Sequence, residues 1–303
     1  MLADDVTIFE KGRGEGFVDD YANHHKLVDF FSHTINIGQV LSVNKEKDMS
    51  KIIVITGAGS GIGLQLSKTL LLNELSIQVI AIGRRGNRLS QLQELFPKKV
   101  LTIEADLASP EGRKEVISTL SKYSHIDYLV HAAATIHPLN SIKNVKLDDW
   151  RQSQQINVEA PFFLTQLLLS KFNNSRVLFI TSETIIHPVS GASSYCVSKA
   201  GQQMVYECFK TEFPVNQVAF GLVSPGMVDT PMQEQIRQAD PNELPMIETI
   251  SQLFKENKLL APSLVADFLK WLLLTVNVNE FSQNMWDIYD VKHHSYWRNK
   301  NEN

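Results

Sequence analysis

From Lys51 onward the chain alternates short runs of β-branched residues with longer amphipathic stretches, and this alternation narrows the possible folds more than any other feature. The short runs are KIIVIT (51–56), IQVIAIG (77–83), VLTIEA (100–105), DYLVHAA (127–133), RVLFITS (176–182), NQVAFGLVS (216–224) and QNMWDIY (283–289). Between them lie GLQLSKTLLLN, EGRKEVISTLSKY and a long helical pattern from Asp148 to Phe172. Strands that are apolar along nearly their whole length are buried on both faces, as in a parallel sheet with helices above and below. The expectation is a doubly wound α/β domain of about seven strands, whose ligands bind beyond the carboxyl ends of the strands.

The chemistry-bearing residues fall at such ends or on the helices that follow. The first run leads into TGAGSGIG, where Gly57, Gly61 and Gly63 have the spacing Gly-x-x-x-Gly-x-Gly. Glycine permits a sharp turn from strand to helix and a close backbone approach to a pyrophosphate, which the helix N-terminus then attracts. No Gly-Lys-Ser/Thr follows, so the loop is not of the Walker type. The second run ends in IGRRGN, with Arg84 and Arg85 where a preference for NAD would place a carboxylate. Guanidinium groups suit a 2′-phosphate, so NADP(H) is the expected cofactor; the alternative is a pair of exposed loop arginines. Asp106 in EADLAS is placed either to accept from an adenine amino group or to cap a helix.

In SSYCVSKAG (193–201), Tyr195 and Lys199 are four residues apart and share one face of a helix. Ser182 stands thirteen residues before Tyr195, at the end of the run RVLFITS. A strand-end serine and a helix-borne Tyr-x-x-x-Lys can converge on one carbonyl. With the glycine loop and with Asn157 in QINVEAPFFLTQ, they resemble the short-chain dehydrogenase/reductase family over roughly Met49 to Asp290. The stretches YCVSKAG, SPGMVDTPMQEQIR, FKENKLLAP and WDIYD are similar to the branch that holds sepiapterin reductases and bacterial benzil (α-diketone) reductases.

The resemblance implies a Rossmann-type fold and an NADPH-dependent carbonyl reductase acting on a small dicarbonyl or a pterin side-chain ketone. Ser182 would bond the substrate carbonyl and Tyr195 would give up its proton. Lys199 would hold the nicotinamide ribose and acidify the phenol, and Asn157 would anchor a water between Lys199 and solvent. Lowering a phenol from about 10 to about 7 takes roughly 4 kcal/mol, which one cation at about 4 Å supplies at an effective dielectric near 20. The implied cofactor contacts are Gly57, Ser60, Gly61, Ile62, Gly63, Arg84, Arg85, Asp106, Leu107, Ala132, Ala133, Tyr195, Lys199, Pro225, Gly226, Val228 and Thr230, the last near the carboxamide. Ser182, Tyr195 and Asp287 are the implied substrate contacts, Asp287 as a pterin anchor or else a surface charge at a strand end. One departure stands out: the family's Asn-Asn-Ala-Gly after the fourth strand is replaced by His131, Ala132, Ala133 and Ala134. That change removes amide groups which fix the adenosine side and brace the sheet.

The remaining expectations concern organisation and partners. The segment 1–48 is polar and weakly patterned, either an upstream extension of the reading frame before Met49 or an arm that packs on a partner subunit. The domain runs over 49–290, a helical lid over about 227–262, and a tail over 291–303. A net charge of −4 gives no attraction to nucleic acid or an anionic membrane. The most apolar stretch, FLKWLLLTVNV, is too short for a membrane span and carries Lys270. An acidic start without a secretory pattern and two cysteines, expected as small buried hydrophobes, point to the cytoplasm. His131 and His137 lack a third ligand and no metal is expected. A homo-oligomer, dimer or tetramer, is expected. The competing readings are an NAD-linked alcohol or 3-oxoacyl oxidoreductase and a dinucleotide-binding sensor without turnover.

Overall fold

The computed structural model describes residues 50–283 and 285–298, so the expectations for 1–48 lie outside the described residues. Seven strands form one parallel sheet: β1 (Lys51–Thr56), β2 (Ile77–Gly83), β3 (Val100–Glu104), β4 (Tyr128–His131), β5 (Ser175–Ile180), β6 (Val218–Ser224) and β7 (Met285–Asp287). Their order is β3-β2-β1-β4-β5-β6-β7. The strand order reverses between β1 and β4, where Thr56 is in register with His131, and a crevice opens beyond the strand ends there.

The helices are α1 (Gly61–Asn73), α2 (Gly86–Leu95), α3 (Pro110–Leu120), α4 (Leu147–Gln154), α5 (Ala160–Leu168), α6 (Ser193–Glu212), α7 (Pro231–Arg237), α8 (Ile247–Lys255), α9 (Pro262–Leu274), α10 (Val278–Phe281) and α11 (His294–Trp297). They cover the sheet as the alternation of the strands demands. Ile53 and Ile55 of β1 face one layer with Leu66 and Leu70 of α1 and Phe268 and Leu272 of α9. Val54 between them faces the other layer, with Val116 of α3, Leu164 of α5 and Phe209 of α6. Local chemistry sets the helix starts: Ser109 accepts the Gly112 N–H at 2.9 Å, and Pro110 opens α3.

The long pattern from Asp148 to Phe172 is not one regular helix. A turn of wider, π-type helix at Gln155–Glu159 joins α4 to α5. The residues expected as a lid form α7 and α8, tied at the root by paired backbone bonds between Met227, Asp229 and Leu260. Beneath them a third apolar cluster gathers Ile136, Leu139, Ile236, Leu244 and Ile250 around Tyr195.

The stretch after Asp290 is not a free tail as far as Arg298. The His293 ring stacks on Phe268 at 5.0 Å and takes the Trp297 indole N–H on Nδ1 at 2.8 Å. Cys196 is buried as expected, whereas Cys208 is exposed.

Candidate active site

The turn after β1 is built for close approach. Gly57 has a φ of +69°, and a Cβ there would stand 2.7 Å from the Ala133 nitrogen. Gly63 lets α1 reach back onto the loop, since a Cβ there would meet the Gly57 carbonyl oxygen at 2.6 Å. Ser60 stands at the N-cap of α1 without capping it by its side chain, so first-turn N–H groups remain for an anion.

Across the crevice, Arg85 Nη2 donates to Ser60 Oγ at 2.7 Å. Burial and the charges of Arg88 and Arg84 draw the Arg85 pKa below its usual range. A cavity of about 490 Å³ lies between these elements, lined by Gly57, Ser60, Arg85, Asp106, Ala133 and Thr230 among others. The expected contacts Gly61, Ile62, Arg84, Leu107 and Ala132 line it too. Glycine turn, uncapped helix start and guanidinium cluster together fit a dinucleotide carrying phosphate charge. Asp106 is not the cap of α3, a position held by Ser109; its Oδ1 accepts the Ala108 N–H at 3.1 Å at the cavity wall.

The His-Ala-Ala-Ala replacement leaves the sheet braced. Thr56 Oγ1 accepts the N–H groups of Ala132 and Ala133, each at 3.1 Å, and donates to the Val130 carbonyl at 3.3 Å. The His131 ring turns into the core, bonded to Thr165 Oγ1 at 2.8 Å, and burial holds its pKa at about 3, so it stays neutral. Among the described residues no three His, Cys, Asp or Glu side chains gather to hold a metal ion.

A second cavity, of about 280 Å³, adjoins the first and shares Ile62, Ala132, Ala134, Thr230 and Met232 with it. Its wall holds Ser182, Tyr195, Lys199, Pro225, Gly226 and Val228. The rest of that wall is mainly aliphatic, from the loop after β4 and from the lid. Ser182 is not on the strand, which ends at Ile180; it caps a short 3₁₀ turn, Glu183–Ile185, where its Oγ accepts the Thr184 N–H at 3.3 Å.

Asn157 sits on the wide turn, fully buried. Its Oδ1 accepts the Thr135 N–H at 2.9 Å, and its Nδ2 donates to the Thr135 carbonyl and to Ser198 Oγ, both at 2.8 Å. The extra residue of a π-type turn aims this side chain between the β4 loop and α6.

The phenol and the ammonium differ from the expectation that one acidifies the other. Burial pushes the Tyr195 pKa up to about 12, although a hydrogen bond with Ser182 opposes the rise. Burial also draws Lys199 down to about 7. The Lys199 Nζ lies 5.7 Å from the centre of the Tyr195 ring and donates instead to the Ile180 carbonyl at 2.8 Å and to Gln202 Oε1 at 3.0 Å. The phenol is therefore held protonated, the state a proton donor needs.

Asp287 is not a wall of either cavity. Its Oδ1 accepts the Tyr289 N–H at 3.0 Å, so the carboxylate closes a turn. Tyr289, which sequence reasoning missed, covers Gly226 and accepts the Met227 N–H on its hydroxyl at 3.2 Å. Thr56, Gln202 and Glu243 were missed as well. Glu243 fastens the connection between α7 and α8 to the loop after β4, its Oε2 accepting the Ser141 N–H and hydroxyl, both at 2.7 Å, and its Oε1 accepting from Asn144.

Residues 51–241 match the family model described as short chain dehydrogenase. The benzil reductase ((S)-benzoin forming) of Bacillus cereus is 32% identical over 249 residues, covering 77% of this chain and 96% of the relative. The enzyme of the same description from Bacillus subtilis is 30% identical over 258 residues, covering 80% and 98%. Among solved structures, the KRED1-Pglu enzyme superposes with a TM-score of 0.73 at 25% identity, covering 78% of this chain and 99% of that one. Glycine turn, Ser182, Tyr195 and Lys199 are thus carried on a matching fold and a matching sequence, and the chain belongs to the short-chain dehydrogenase/reductase family of nicotinamide-dinucleotide oxidoreductases.

Proposed function

We propose that the chain is an NADPH-dependent carbonyl reductase for small, apolar dicarbonyl compounds of the benzil class, with Tyr195 as the general acid. The observation that carries this reading is that two cavities adjoin through Ile62, Ala132, Ala134, Thr230 and Met232, and that the second holds Ser182, Tyr195 and Lys199 together. Glycines and arginines line the first, and mainly aliphatic side chains line the rest of the second. Benzil reductases of about 30% identity, matched over nearly their full length, support the substrate class.

In this reading Arg84 and Arg85 grip the 2′-phosphate, and the glycine turn with the uncapped start of α1 receives the pyrophosphate. The bound dinucleotide supplies the hydride. Ser182 donates to the carbonyl oxygen and orients it toward the Tyr195 hydroxyl, which gives its proton to that oxygen as negative charge develops. Lys199, held by Ile180 and Gln202, brings a positive charge beside the phenol when it is protonated. Asn157 fixes Thr135 and Ser198 and so holds α6 in register with the cofactor crevice. Met232, Ile236, Leu244 and Ile250 exclude water from the reacting carbonyl.

The test is NADPH consumption against benzil, other diketones, sepiapterin and simple ketones. Benzil and related diketones are expected to be reduced fastest. Tyr195→Phe is expected to lower turnover by at least about a hundredfold, within the range of general-acid contributions, while NADPH binding followed by fluorescence stays nearly unchanged. Substantial turnover by the phenylalanine variant removes tyrosine from the acid role.

A further inference from the structure

The stretch WDIYD is one on which the resemblance to the sepiapterin and benzil reductase branch rests, yet neither Asp287 nor Asp290 lines a cavity. Its geometry serves another residue. Ile288 extends the pairing of β7 with β6, its N–H donating to the Ser224 carbonyl at 3.1 Å, and its side chain is fully buried. Asp287 then turns the chain, its Oδ1 accepting the Tyr289 N–H at 3.0 Å and its carbonyl accepting the Asp290 N–H at 3.1 Å. Two imidazoles hold the turn: His293 Nε2 donates to the Asp287 carbonyl at 2.9 Å, and His294 Nε2 to the Ile288 carbonyl at 2.7 Å. The residue that this turn presents to the loop after β6 is Tyr289.

There the phenol makes two contacts. It lies where a side chain at position 226 would be, since a Cβ on Gly226 would stand 2.8 Å from its Cε2, Cζ and hydroxyl oxygen, and the Gly226 backbone is left-handed with a φ of +71°. The hydroxyl also accepts the Met227 N–H at 3.2 Å. Gly226, Met227 and Val228 line the apolar cavity, and so do Met232, Ile236, Leu244 and Ile250 of the lid that starts here. Met227 and Asp229 bond to Leu260, where the lid returns. We propose that Tyr289 is a positioning residue for the ketone: its phenol holds the Gly226–Met227 peptide and with it the root of the lid, and Asp287 acts on the site only by holding Tyr289. The role toward ketone rests on the carbonyl-reductase reading, whereas the hold on the lid root does not.

The experiment uses three single variants and one double. Tyr289→Ala removes ring and hydroxyl, Tyr289→Phe the hydroxyl alone, and Asp287→Ala the side chain that closes the turn. Tyr289→Ala is expected to raise the KM for benzil about tenfold through lost packing and one lost hydrogen bond. Tyr289→Phe is expected to raise it about two- to threefold, because water at this exposed bond replaces the hydroxyl in part. The kcat and the NADPH dissociation constant are expected to stay within about twofold, since the groups that serve them stand on other elements. Asp287→Ala is expected to raise KM less than Tyr289→Ala, and the double variant no more than Tyr289→Ala alone, as for residues that act as one unit. In hydrogen exchange followed by mass spectrometry, residues 227–239 are expected to exchange at least about threefold faster in Tyr289→Ala, while residues 216–223 of β6 keep their rate. A merely structural role would move kcat, KM and NADPH binding together and loosen β6 as well.

Unchanged exchange over 227–239 in the Tyr289 variants overturns the hold on the lid root. An unchanged KM for benzil in Tyr289→Ala overturns the role toward ketone. A double variant whose KM rises by the product of the two single effects shows that Asp287 reaches the ketone on its own, and its dependence on Tyr289 is overturned. Where Tyr289→Ala fails to fold, seen as lost protection in β6, Tyr289→Phe and Asp287→Ala decide by the same two readouts. If wild-type protein binds NADPH and reduces no ketone, the reductase reading fails, while exchange over 227–239 still decides whether Tyr289 holds the lid.

Discussion

Replacing Lys199 by methionine separates the energetic cost of the site from its chemistry. Lys199 is 3% exposed, and burial holds its ammonium at about 7 against an ordinary value of 10.5. That gap corresponds to about 5 kcal/mol against the charged form in the folded chain. Below pH 7 both folded and unfolded chains carry the proton and the full penalty applies. Between pH 7 and 10.5 the unfolded chain still binds the proton that the folded chain has released, so stability rises with pH by about 1.4 kcal/mol per unit. Methionine has a similar length and no charge, so its variant lacks this slope. It also leaves the Ile180 carbonyl and Gln202 Oε1 without their donor, a cost that shifts its whole stability curve but does not tilt it. The assay is guanidinium unfolding at several pH values without dinucleotide, with the wild-type stability subtracted from that of the variant. The difference is expected to fall by about 2 kcal/mol between pH 7 and 9. A difference that stays flat over that range shows that the ammonium is not desolvated, and the reasoning fails. Activity is expected to run the other way: kcat/KM measured against free enzyme falls as pH rises through about 7, because the positive charge beside the phenol is lost.

Three further outcomes test other parts of the site. Arg85→Ala is expected to weaken NADPH binding by about tenfold or more, the value of a charge-assisted bond, and NADH binding by much less, as read by fluorescence titration; equal losses on both remove the 2′-phosphate role. Gly57→Ala forces a side chain into a left-handed backbone position against the Ala133 nitrogen. It is expected to cost more than about 1 kcal/mol in denaturant unfolding and to abolish measurable dinucleotide binding. Glu243→Gln loses the charge that receives the Ser141 and Asn144 donors, and a raised KM for ketone with unchanged NADPH affinity is expected, because only the lid is loosened. The hydrogen bonds from Ser141 hold the Glu243 pKa below the usual carboxylate range, so the wild-type clasp persists at neutral pH and is lost only as pH falls through that lowered value.

The fold was legible because strands covered on both faces leave an unmistakable trace. KIIVIT and VAFGLVS are apolar at nearly every position, and glycines and polar residues mark where each ends. Helix periodicity was less informative where geometry departs from regular: nothing in QINVE announces a wide turn, since the pattern of apolar residues runs on through it. The aromatic residues of HHSYW did carry a sign that residues 293–297 are packed, because His293 and Trp297 find Phe268 across the layer.

The legible part of the site and the illegible part have different physical origins. Gly57, Ser182, Tyr195 and Lys199 could be read because spacing along one turn or one helix brings such residues together, whatever surrounds them. Thr56, Gln202 and Tyr289 act through partners 3 to 77 positions away in the chain, which only the packed structure reveals. The same distinction applies to Lys199 and Tyr195. A cation at short range acidifies a phenol when both stay solvated enough to be charged, but here burial acts on both groups and outweighs their attraction, raising one pKa and lowering the other. The site without dinucleotide is thus poised as a protonated phenol next to a lysine close to losing its charge. It follows that any anionic group which enters beside Lys199 stabilises the ammonium, so its pKa should rise on binding such a group, with net proton uptake near pH 7.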